Sequence, residues 1–482
     1  MHRYVEVFDA SAPLALLDTA LTTVVRHEAH GAREIDVAAC SVLGAEPFAS
    51  FTVKLDRGAL SIARRSALFP PHAATEDPWH ELRTALETFR PPRPACDALP
   101  FVAGALGYIG YGAARLIEDL PDRREEQQHL PDLSLLWMSV HLLHAHASGE
   151  SFVSVIGHGA TDAEAASNAR TRCDRLLQQL RAFEARAAKD VPLSTSRSAG
   201  PANDERAALR VTLPDQAYMA KVQHAQERIA AGDFYEVCLS QPVTCDVEVD
   251  PWRLYLALRS YNPAPYACFL RLPEAYVICA SPERFLRLGA DGVVESRPIK
   301  GTAKRGADAA QDALALEAFK SSIKDRAENM MIVDVVRSDL GRVCAYGSVE
   351  VPDLCVIEEF RTVFQMVSTI RGRLRPEHDA IDLICASFPG GSMTGAPKIA
   401  AMQWIERCEP TRREIYAGSI GYWDASGAMD LNIVIRTIVL RDGQAILNVG
   451  GAVTSLSDPA SELAEIELKA AAQIHAIERI CT

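Results

Sequence analysis

The chain has 482 residues, of which 48% are hydrophobic and 23% are charged. This composition is typical of a globular protein and excludes a collagen-like, coiled-coil or disordered chain. With 50 Lys and Arg against 63 Asp and Glu, the net charge is −13, which argues against duplex DNA and anionic membranes as partners, because both require a basic face.

The first half of the chain carries one hairpin pattern and one break in composition. Two apolar segments between residues 135 and 158 flank the run Ala-Ser-Gly-Glu, which predicts a β-hairpin. From Glu184 to Arg210, charged, Ser, Pro and Gly residues dilute the apolar side chains below what a packed element requires. We therefore assign an N-terminal region at 1–185, a linker at 186–212 and a C-terminal domain at 213–482.

The C-terminal domain begins with a helical pattern and continues with strands. Apolar residues recur at helical spacing at Tyr218, Val222, Ala225 and Ile229. Gly232 is suited to end this helix, and strand-like segments follow from Val237, at 276–280 and at 285–299. Further helices are expected at about 308–340, 396–407 and 459–480. The mixture of hairpins and grouped helices indicates an α+β fold rather than a regular βαβ array.

Other features restrict the type of protein. The longest apolar run, 101–114, contains four glycines and is shorter than the roughly 18 residues of a membrane-spanning helix. The first residues lack the apolar stretch of a secretory signal, and the 12 cysteines include no Cys-x-x-Cys pair. We expect a cytoplasmic protein that contacts neither a membrane nor a nucleic acid.

Acidic side chains recur on two of the expected helices. On the last helix, Glu462, Glu465 and Lys469 follow one another at i, i+3 and i+7, within roughly 60° of arc. An earlier helix carries Asp325 and Glu328 at i and i+3. One such face is usually solvated, but two of them could supply the few oxygen ligands that Mg²⁺ prefers.

Two glycine-rich segments and one arginine suggest anion binding. Segments 388–398 and 450–452 adjoin a helix start and a strand end, although each alone is more typical of a tight turn. Arg436 lies within the apolar run 432–440, where a charge is costly unless it is paired. This arginine therefore requires a carboxylate, from the protein or from a ligand.

Lys300 and Glu283 lie at turns next to strands. Nearby cationic residues (Arg297, Lys304 and Arg305) are expected, together with burial, to lower the pKa of Lys300 and so to free part of its amine as a nucleophile. Glu283 occupies a tight turn from which a carboxyl could protonate a leaving group. Either residue alone is also consistent with a surface charge.

Taken together, these segments occur in the order seen in the chorismate-utilising enzymes. The motifs that carry the resemblance are GDFY (232–235), LSQ (239–241), SPERF (281–285), RPIKGT (297–302), AENMMIVD (327–334), PGGSMTGAPK (389–398), GSIGY (418–422) and IRT (435–437). The resemblance is strong over about 213–475 and extends to LPF (99–101) and GALGY (104–108). It implies a large layered α/β sandwich, with mostly antiparallel sheets and helices packed outside.

Within this family, the segment around Lys300 resembles that of the aminodeoxychorismate synthases, whereas anthranilate synthases usually carry alanine at this position. The resemblance implies that the Lys300 amine adds to the chorismate ring as the 4-hydroxyl leaves, with Glu283 as the general acid. Ammonia then displaces the lysine and gives 4-amino-4-deoxychorismate, on the route to 4-aminobenzoate and folate.

The same resemblance implies the ligands around the ring. Glu328 and Glu465, assisted by Glu462 and Asp325, are expected to hold Mg²⁺ against the ring carboxylate. The expected substrate contacts are Arg436, Tyr422, Lys469, Thr394, Gly395, Gly451 and Gln365. The chain departs from the family pattern at Gln365, where histidine is frequent, and at Glu236, which replaces a usual glutamine.

The resemblance also implies a partner. Ammonia is expected from a separate glutamine amidotransferase subunit, because no cysteine of this chain lies in the nucleophile turn of that family. Two alternatives remain open. One is another chorismate enzyme, such as anthranilate synthase component I, which would release pyruvate, and the other is a non-catalytic homologue that binds chorismate or an amidotransferase.

Overall fold

The structure is a computed structural model that describes residues 1–28, 31–66, 68–69, 76–90, 99–122, 124–187, 210–211 and 213–481. Across these residues the chain forms 22 β-strands and nine α-helices. The strands join into one sheet, and their pairings are antiparallel. The expected α+β fold with mostly antiparallel strands is therefore confirmed.

The strands fall into two groups along the chain. The first group is β1 (Leu14–Asp18), β2 (Thr23–Glu28), β3 (Gly31–Asp36), β4 (Cys40–Asp56), β5 (Ala59–Arg65), β6 (Gly104–Ile109), β7 (Leu133–Ala145), β8 (Ser151–Val155) and β9 (Arg210–Val211). The second group is β10 (Glu236–Asp246), β11 (Tyr266–Arg271), β12 (Tyr276–Ser281), β13 (Arg284–Leu288), β14 (Val293–Arg297), β15 (Ile299–Lys304), β16 (Glu350–Glu359), β17 (Val363–Arg373), β18 (Gly395–Ala396), β19 (Ser419–Asp424), β20 (Met429–Asn432), β21 (Thr437–Arg441) and β22 (Gln444–Val453).

The helices lie mainly in the second half of the chain. They are α1 (Pro78–Thr88), α2 (Asp162–Ala187), α3 (Asp215–Ala230), α4 (Pro251–Tyr261), α5 (Ala309–Lys320), α6 (Ile323–Gly341), α7 (Ala380–Ser387), α8 (Lys398–Cys408) and α9 (Pro459–Cys481). Short 3-10 helices occur at His2–Val7, Tyr111–Leu116 and Gly391–Met393. None of the helices in the described part of the chain combines the length and the apolar character needed to cross a membrane.

Both halves of the chain contribute strands to the same sheet. β1 pairs with β11, β2 pairs with β16, and β6 pairs with β19. The assigned linker, 186–212, lies outside the described residues except at 186–187 and 210–211. The domain boundaries at 185 and 213 therefore stay a prediction, and the sheet runs through both assigned regions.

The local predictions agree with the structure except at one helix. The hairpin around Ala-Ser-Gly-Glu is confirmed as β7 and β8, and α3 buries Tyr218, Val222 and Ala225 before it ends ahead of Gly232. The segment 308–340 forms two helices, α5 and α6, rather than one. The break occurs because Ser322 caps α6: its hydroxyl accepts the backbone N–H of Asp325.

Packing of the helices brings the two acidic faces together. α9 lies on β22 and against α3 and α4, and it buries Ile466, Ala470 and Ile477. α6 lies on β15 and β17. Lys324 of α6 reaches Glu462 of α9, with Nζ and Oε1 3.1 Å apart. The first turns of α6 and α9 therefore meet at one end of the sheet, above β15 and β22.

Candidate active site

A cavity lies between β15, β22 and the N-terminal parts of α6 and α9. Nine of the residues expected in the site line it: Glu283, Lys300, Asp325, Glu328, Gln365, Arg436, Gly451, Glu465 and Lys469. Tyr422, Thr394, Gly395 and Glu462 are not part of this lining. The structure thus collects the expected catalytic pair and most of the expected ligands in one place.

Lys300 projects from β15 at an irregular point of the strand. The register of β15 with β17 shifts between Ile299 and Thr302, and Gly301 has a φ of +87°, which a residue with a side chain rarely adopts. A Cβ at Gly301 would also lie 2.8 Å from Oδ1 of Asp325. This glycine allows β15 to bend under α6 and present the amine of Lys300 to the cavity.

The expected low pKa of Lys300 is wrong. Burial acts in that direction, but the carboxylate of Glu236, with Oε1 2.5 Å from Nζ, outweighs it and raises the pKa of Lys300 above its ordinary value. The cationic neighbours in sequence do not contact the amine, because Arg297 pairs with Glu358 and Arg305 with Asp312. The resting amine is therefore a buried ammonium that is bound to an acid.

Glu283 is placed and tuned to donate a proton near neutrality. Its side chain is buried between β12 and β13, and its Oε1 accepts a hydrogen bond from Ser392 Oγ at 2.7 Å. Burial raises the pKa of Glu283 to about 7, although the hydroxyl of Ser392 and the backbone N–H of Ile299 act against this shift. A carboxyl with this pKa holds its proton for part of the time at pH 7, as a general acid requires.

Arg436 and Lys469 form the cationic wall of the cavity. Arg436 follows the strand β20, has a φ of 54°, and donates from Nη1 to the carbonyl of Lys469. Burial lowers the pKa of Arg436 to about 10, which leaves the guanidinium charged at pH 7. Among the described residues, no carboxylate forms an ion pair with Arg436 within 4 Å. This cation is available to a carboxylate of a ligand.

Tyr422 lies outside the cavity lining, so its expected substrate contact stays a prediction, and Tyr416 lines the cavity instead. Tyr422 lies in β19 and its ring packs against Phe101, with centroids 5.0 Å apart, in a separate hydrophobic cluster. Tyr416 precedes β19 and lines the cavity beside Arg436. Sequence reasoning favours the tyrosine of the GSIGY motif, whereas the tyrosine two residues before this motif is the one that reaches the site.

Thr394 and Gly395 also lie outside the cavity lining, so their expected substrate contacts stay a prediction. Thr394 is fully buried and its hydroxyl donates to the carbonyls of Gly390 and Gly391, so that it has no access to the cavity. Gly395 pairs with Val237 in the short ladder between β18 and β10. The residue of this segment that lines the cavity is Ser392, whose hydroxyl contacts Glu283.

The acidic residues of α6 and α9 are partly neutralised by lysines. Lys324 Nζ lies 3.1 Å from Glu462 Oε1 and 3.8 Å from Glu328 Oε1, and Lys469 Nζ lies 2.5 Å from Glu465 Oε1. Burial raises the pKa of Glu328 to about 7. Burial also acts to raise the pKa of Glu465, but the Lys469 ammonium outweighs it, and the pKa is lowered.

The acidic side chains of α6 and α9 are of the type that Mg²⁺ binds, but in the described residues they do not converge on one point. Within the described ranges, no three His, Cys, Asp or Glu side chains surround one point that could hold a metal ion. Glu328 Oε1 is buried and accepts no hydrogen bond from any described residue. Because Mg²⁺ keeps several waters and needs only one or two carboxylates, this free oxygen and the neighbouring Glu465 suit it.

Sequence reasoning misses the second carboxylate at Lys300. Glu236 stands out as a departure from the family pattern, but nothing near it in the sequence places it beside an amine. The register of β10 with β18 and the irregular β15 bring the two residues together. Tyr416, Ser392 and Lys324 are missed for the same reason, since each lies next to a recognised motif residue and only packing decides which of the two faces the cavity.

Comparisons with known proteins identify the family. The family model described as chorismate binding enzyme matches residues 43–475. An aminodeoxychorismate synthase of Streptomyces pristinaespiralis is 42% identical over 385 residues, which cover 79% of this chain and 52% of that protein. This chain thus spans about half the length of that relative. Aminodeoxychorismate synthase component 1 of Salmonella typhimurium is 37% identical over 438 residues, 91% of this chain and 89% of that one.

A solved structure supports the same assignment. Anthranilate synthase component I from Streptococcus pneumoniae superposes with a TM-score of 0.75 at 27% identity, covering 92% of this chain and 93% of that chain. The chain belongs to the family of chorismate binding enzymes.

Proposed function

We propose that this chain is the chorismate-aminating component of an aminodeoxychorismate synthase, which converts chorismate and ammonia to 4-amino-4-deoxychorismate for 4-aminobenzoate and folate synthesis. The names of the two sequence relatives support this reading. The observation that carries it is the amine of Lys300 in the cavity together with Glu283, a carboxyl whose pKa is raised to about 7. A nucleophile and a proton donor in one cavity suit the exchange of a ring hydroxyl for an amine.

Binding rests on charge. The guanidinium of Arg436 and the ammonium of Lys469 attract the enolpyruvyl carboxylate of chorismate, and Tyr416 and Gly451 complete that wall. Gln365 faces the cavity with an Oε1 that accepts no hydrogen bond from the described part of the chain, and it contacts the ring hydroxyl. Mg²⁺, held by Glu328 and Glu465 with Glu462 and Asp325 nearby, supplies positive charge for the ring carboxylate when it is bound.

The reaction balances with these groups. The neutral amine of Lys300 forms a bond to the ring as the bond from the ring to the 4-hydroxyl breaks, and Glu283 gives its proton so that the hydroxyl leaves as water. Ammonia then forms its own bond to the ring and displaces the Lys300 amine. The new ammonium group returns one proton to Glu283, and the product is the neutral amine.

The remaining features of the proposal concern the setting of the enzyme. Ammonia comes from a separate glutamine amidotransferase subunit, in keeping with the designation "component 1" of the Salmonella relative. The reaction takes place in the cytoplasm, which suits a chain whose described cysteines are all free thiols. The nearest alternative is anthranilate synthase activity, and Lys300 is the residue that argues against it.

One incubation tests the proposal. Chorismate, Mg²⁺ and an ammonium salt are expected to give an aminated product that retains its enolpyruvyl group, detected by mass spectrometry, with no release of pyruvate. Stoichiometric pyruvate would instead support the anthranilate synthase reading. The variants Lys300→Ala and Glu328→Ala serve as controls, because a chain that only binds chorismate has no turnover for them to remove.

A further inference from the structure

Glu236 lies directly behind the amine of Lys300. It opens β10, is 0% exposed, and its Oε1 is 2.5 Å from Lys300 Nζ. Its other oxygen, Oε2, is also buried and accepts no hydrogen bond from any residue in the described ranges. The side chain is absent from the cavity lining, so that Lys300 stands between it and the space where a ligand binds.

The backbone around Glu236 is clamped. Glu236 pairs with Ala396 in the two-residue strand β18, and the N–H of Tyr235 donates to the carbonyl of Ala396 at 2.7 Å. A Cβ at Gly395 would lie 2.1 Å from the carbonyl oxygen of Glu236, so the absence of a side chain at Gly395 allows this close approach. These contacts fix the backbone from which the carboxylate of Glu236 reaches the amine of Lys300.

An ammonium group has no lone pair and cannot attack a ring. Its proton needs an acceptor, and the other ionisable groups near Lys300 do not provide one. Cys238 and Glu328 interact with the amine electrostatically, without an ion pair inside 4 Å in the described structure, and Glu283 must hold its own proton for the leaving hydroxyl. Of the described carboxylates, Glu236 is the one that contacts Nζ.

Resting on the amination proposed above, we infer that Glu236 is the proton acceptor of Lys300. As the bond between Nζ and the ring forms, one ammonium proton passes to Glu236 Oε1, and it stays on the carboxyl while lysine is bonded to the ring. When ammonia displaces lysine, the freed amine takes this proton back. In the adduct, the bonded nitrogen is a secondary ammonium and Glu236 is a neutral carboxyl, and the carboxylate left on Glu283 balances this positive charge. The transfer in the closed cavity therefore requires no proton from solvent.

The variant Glu236→Gln tests this role, because it keeps the shape and the hydrogen bond but cannot accept a proton. The experiment leaves out ammonia, so that the reaction stops at the Lys300–chorismate adduct. The rate of adduct formation in a single turnover is measured by mass spectrometry of the intact protein across pH 6–9. We expect the rate at pH 7 to fall by about 10²-fold or more, the usual contribution of a general base. Chorismate affinity is expected to stay within about threefold.

The pH profile separates proton transfer from a structural effect. In the unmodified chain, moving a proton from Lys300 to Glu236 does not change the number of protons on the pair, so this step does not depend on pH. The rate of adduct formation then shows only the decline above about pH 7 that comes from Glu283. In Glu236→Gln, the lysine must lose its proton to water, and the rate is expected to rise about tenfold per pH unit up to about 7. Above that pH the rate levels off, because Glu283 loses its proton as more of the lysine becomes neutral. Glu236→Asp, which keeps a carboxylate, is expected to lack this rising limb.

A matched control comes from a partly buried pair of a lysine and a carboxylate outside the cavity lining. Lys398 Nζ lies 2.6 Å from Asp339 Oδ2, and neither residue lines the cavity. Asp339→Asn is expected to lower the melting temperature without adding a rising limb to the pH profile. If Glu236→Gln forms the adduct at the original rate with the original profile, the role of Glu236 is disproved. If the unmodified chain does not aminate chorismate, the proposed function itself is disproved.

Discussion

Two buried groups of charges in this molecule are paired in different ways. In the first, Arg26 binds Asp353 and Glu358, both at 2.8 Å, and Arg297 also binds Glu358, at 2.5 Å. In the cavity, Arg436 has no carboxylate partner within 4 Å among the described residues, and Glu328 keeps an oxygen without a hydrogen bond.

The two groups differ in whether the protein itself supplies the partner of each buried charge. Burying a charge is costly unless a partner compensates for it, so the cluster around Arg26 is closed by its own carboxylates. In the cavity this compensation is incomplete among the described residues, and under the proposed function the carboxylates of chorismate and a bound cation supply the rest. Substitutions in the two groups should therefore affect different measurements.

The largest effect is expected at Lys300. Lys300→Arg keeps a cation beside Glu236, but a guanidinium is not deprotonated in proteins and cannot act as the nucleophile. We expect the amination rate to fall by at least about 10³-fold, while the melting temperature stays within a few degrees of the original. A variant that retains a tenth of the activity would show that the amine does not bond to the ring.

A paired substitution compares the two groups of charges directly. Arg436→Gln is expected to raise the KM for chorismate by about 100-fold, because a buried charge-assisted contact is lost, and to leave the free energy of unfolding equal or higher. Arg26→Gln is expected to lower the free energy of unfolding by about 3 kcal/mol, since it leaves Asp353 without its cation and Glu358 with Arg297 alone.

Steady-state kinetics and urea unfolding of both variants decide this comparison. The KM of Arg26→Gln is expected to stay within about threefold of the original. An exchange of the two outcomes, with lost stability at Arg436 and lost affinity at Arg26, would contradict the assignment of the cavity.

The smallest effect is expected at Ser392, whose hydroxyl stabilises the charged form of Glu283. A general acid works while it is protonated, so the adduct-forming rate should decline as pH rises through about 7. Ser392→Ala removes one hydrogen bond to the carboxylate and is expected to move this decline upward by about one pH unit. Glu283→Gln should remove the decline together with most of the rate.

The sequence predicts the motifs of the site well and their geometry less well. Lys300, Glu283 and the acids of two helices can be identified because their residue types and order match those of the chorismate-utilising enzymes. Tyr422 and Thr394 lie outside the cavity lining, while Tyr416 and Ser392 line it, because the direction of a side chain at the edge of a motif depends on packing. The pKa of Lys300 is predicted in the wrong direction because its partner, Glu236, lies in a different strand.

The fold shows the same limit on a larger scale. Hairpins and helices with local signals, such as β7 with β8 and α3, are predicted from periodicity and turn residues alone. The pairing of strands from the two halves of the chain has no local signal, because each strand pattern states which residues are buried and not which strand lies beside it.

The pairing of β1 with β11 has a consequence for how the molecule is made. Leu14 lies opposite Arg271, which leaves the ribosome much later than Leu14 does. Until then one edge of β1 is open to wrong neighbours, a hazard for any strand of this kind. Newly made chains should therefore depend on chaperones until the middle of the polypeptide has emerged, and N-terminal truncation should cause aggregation rather than yield an active shorter enzyme.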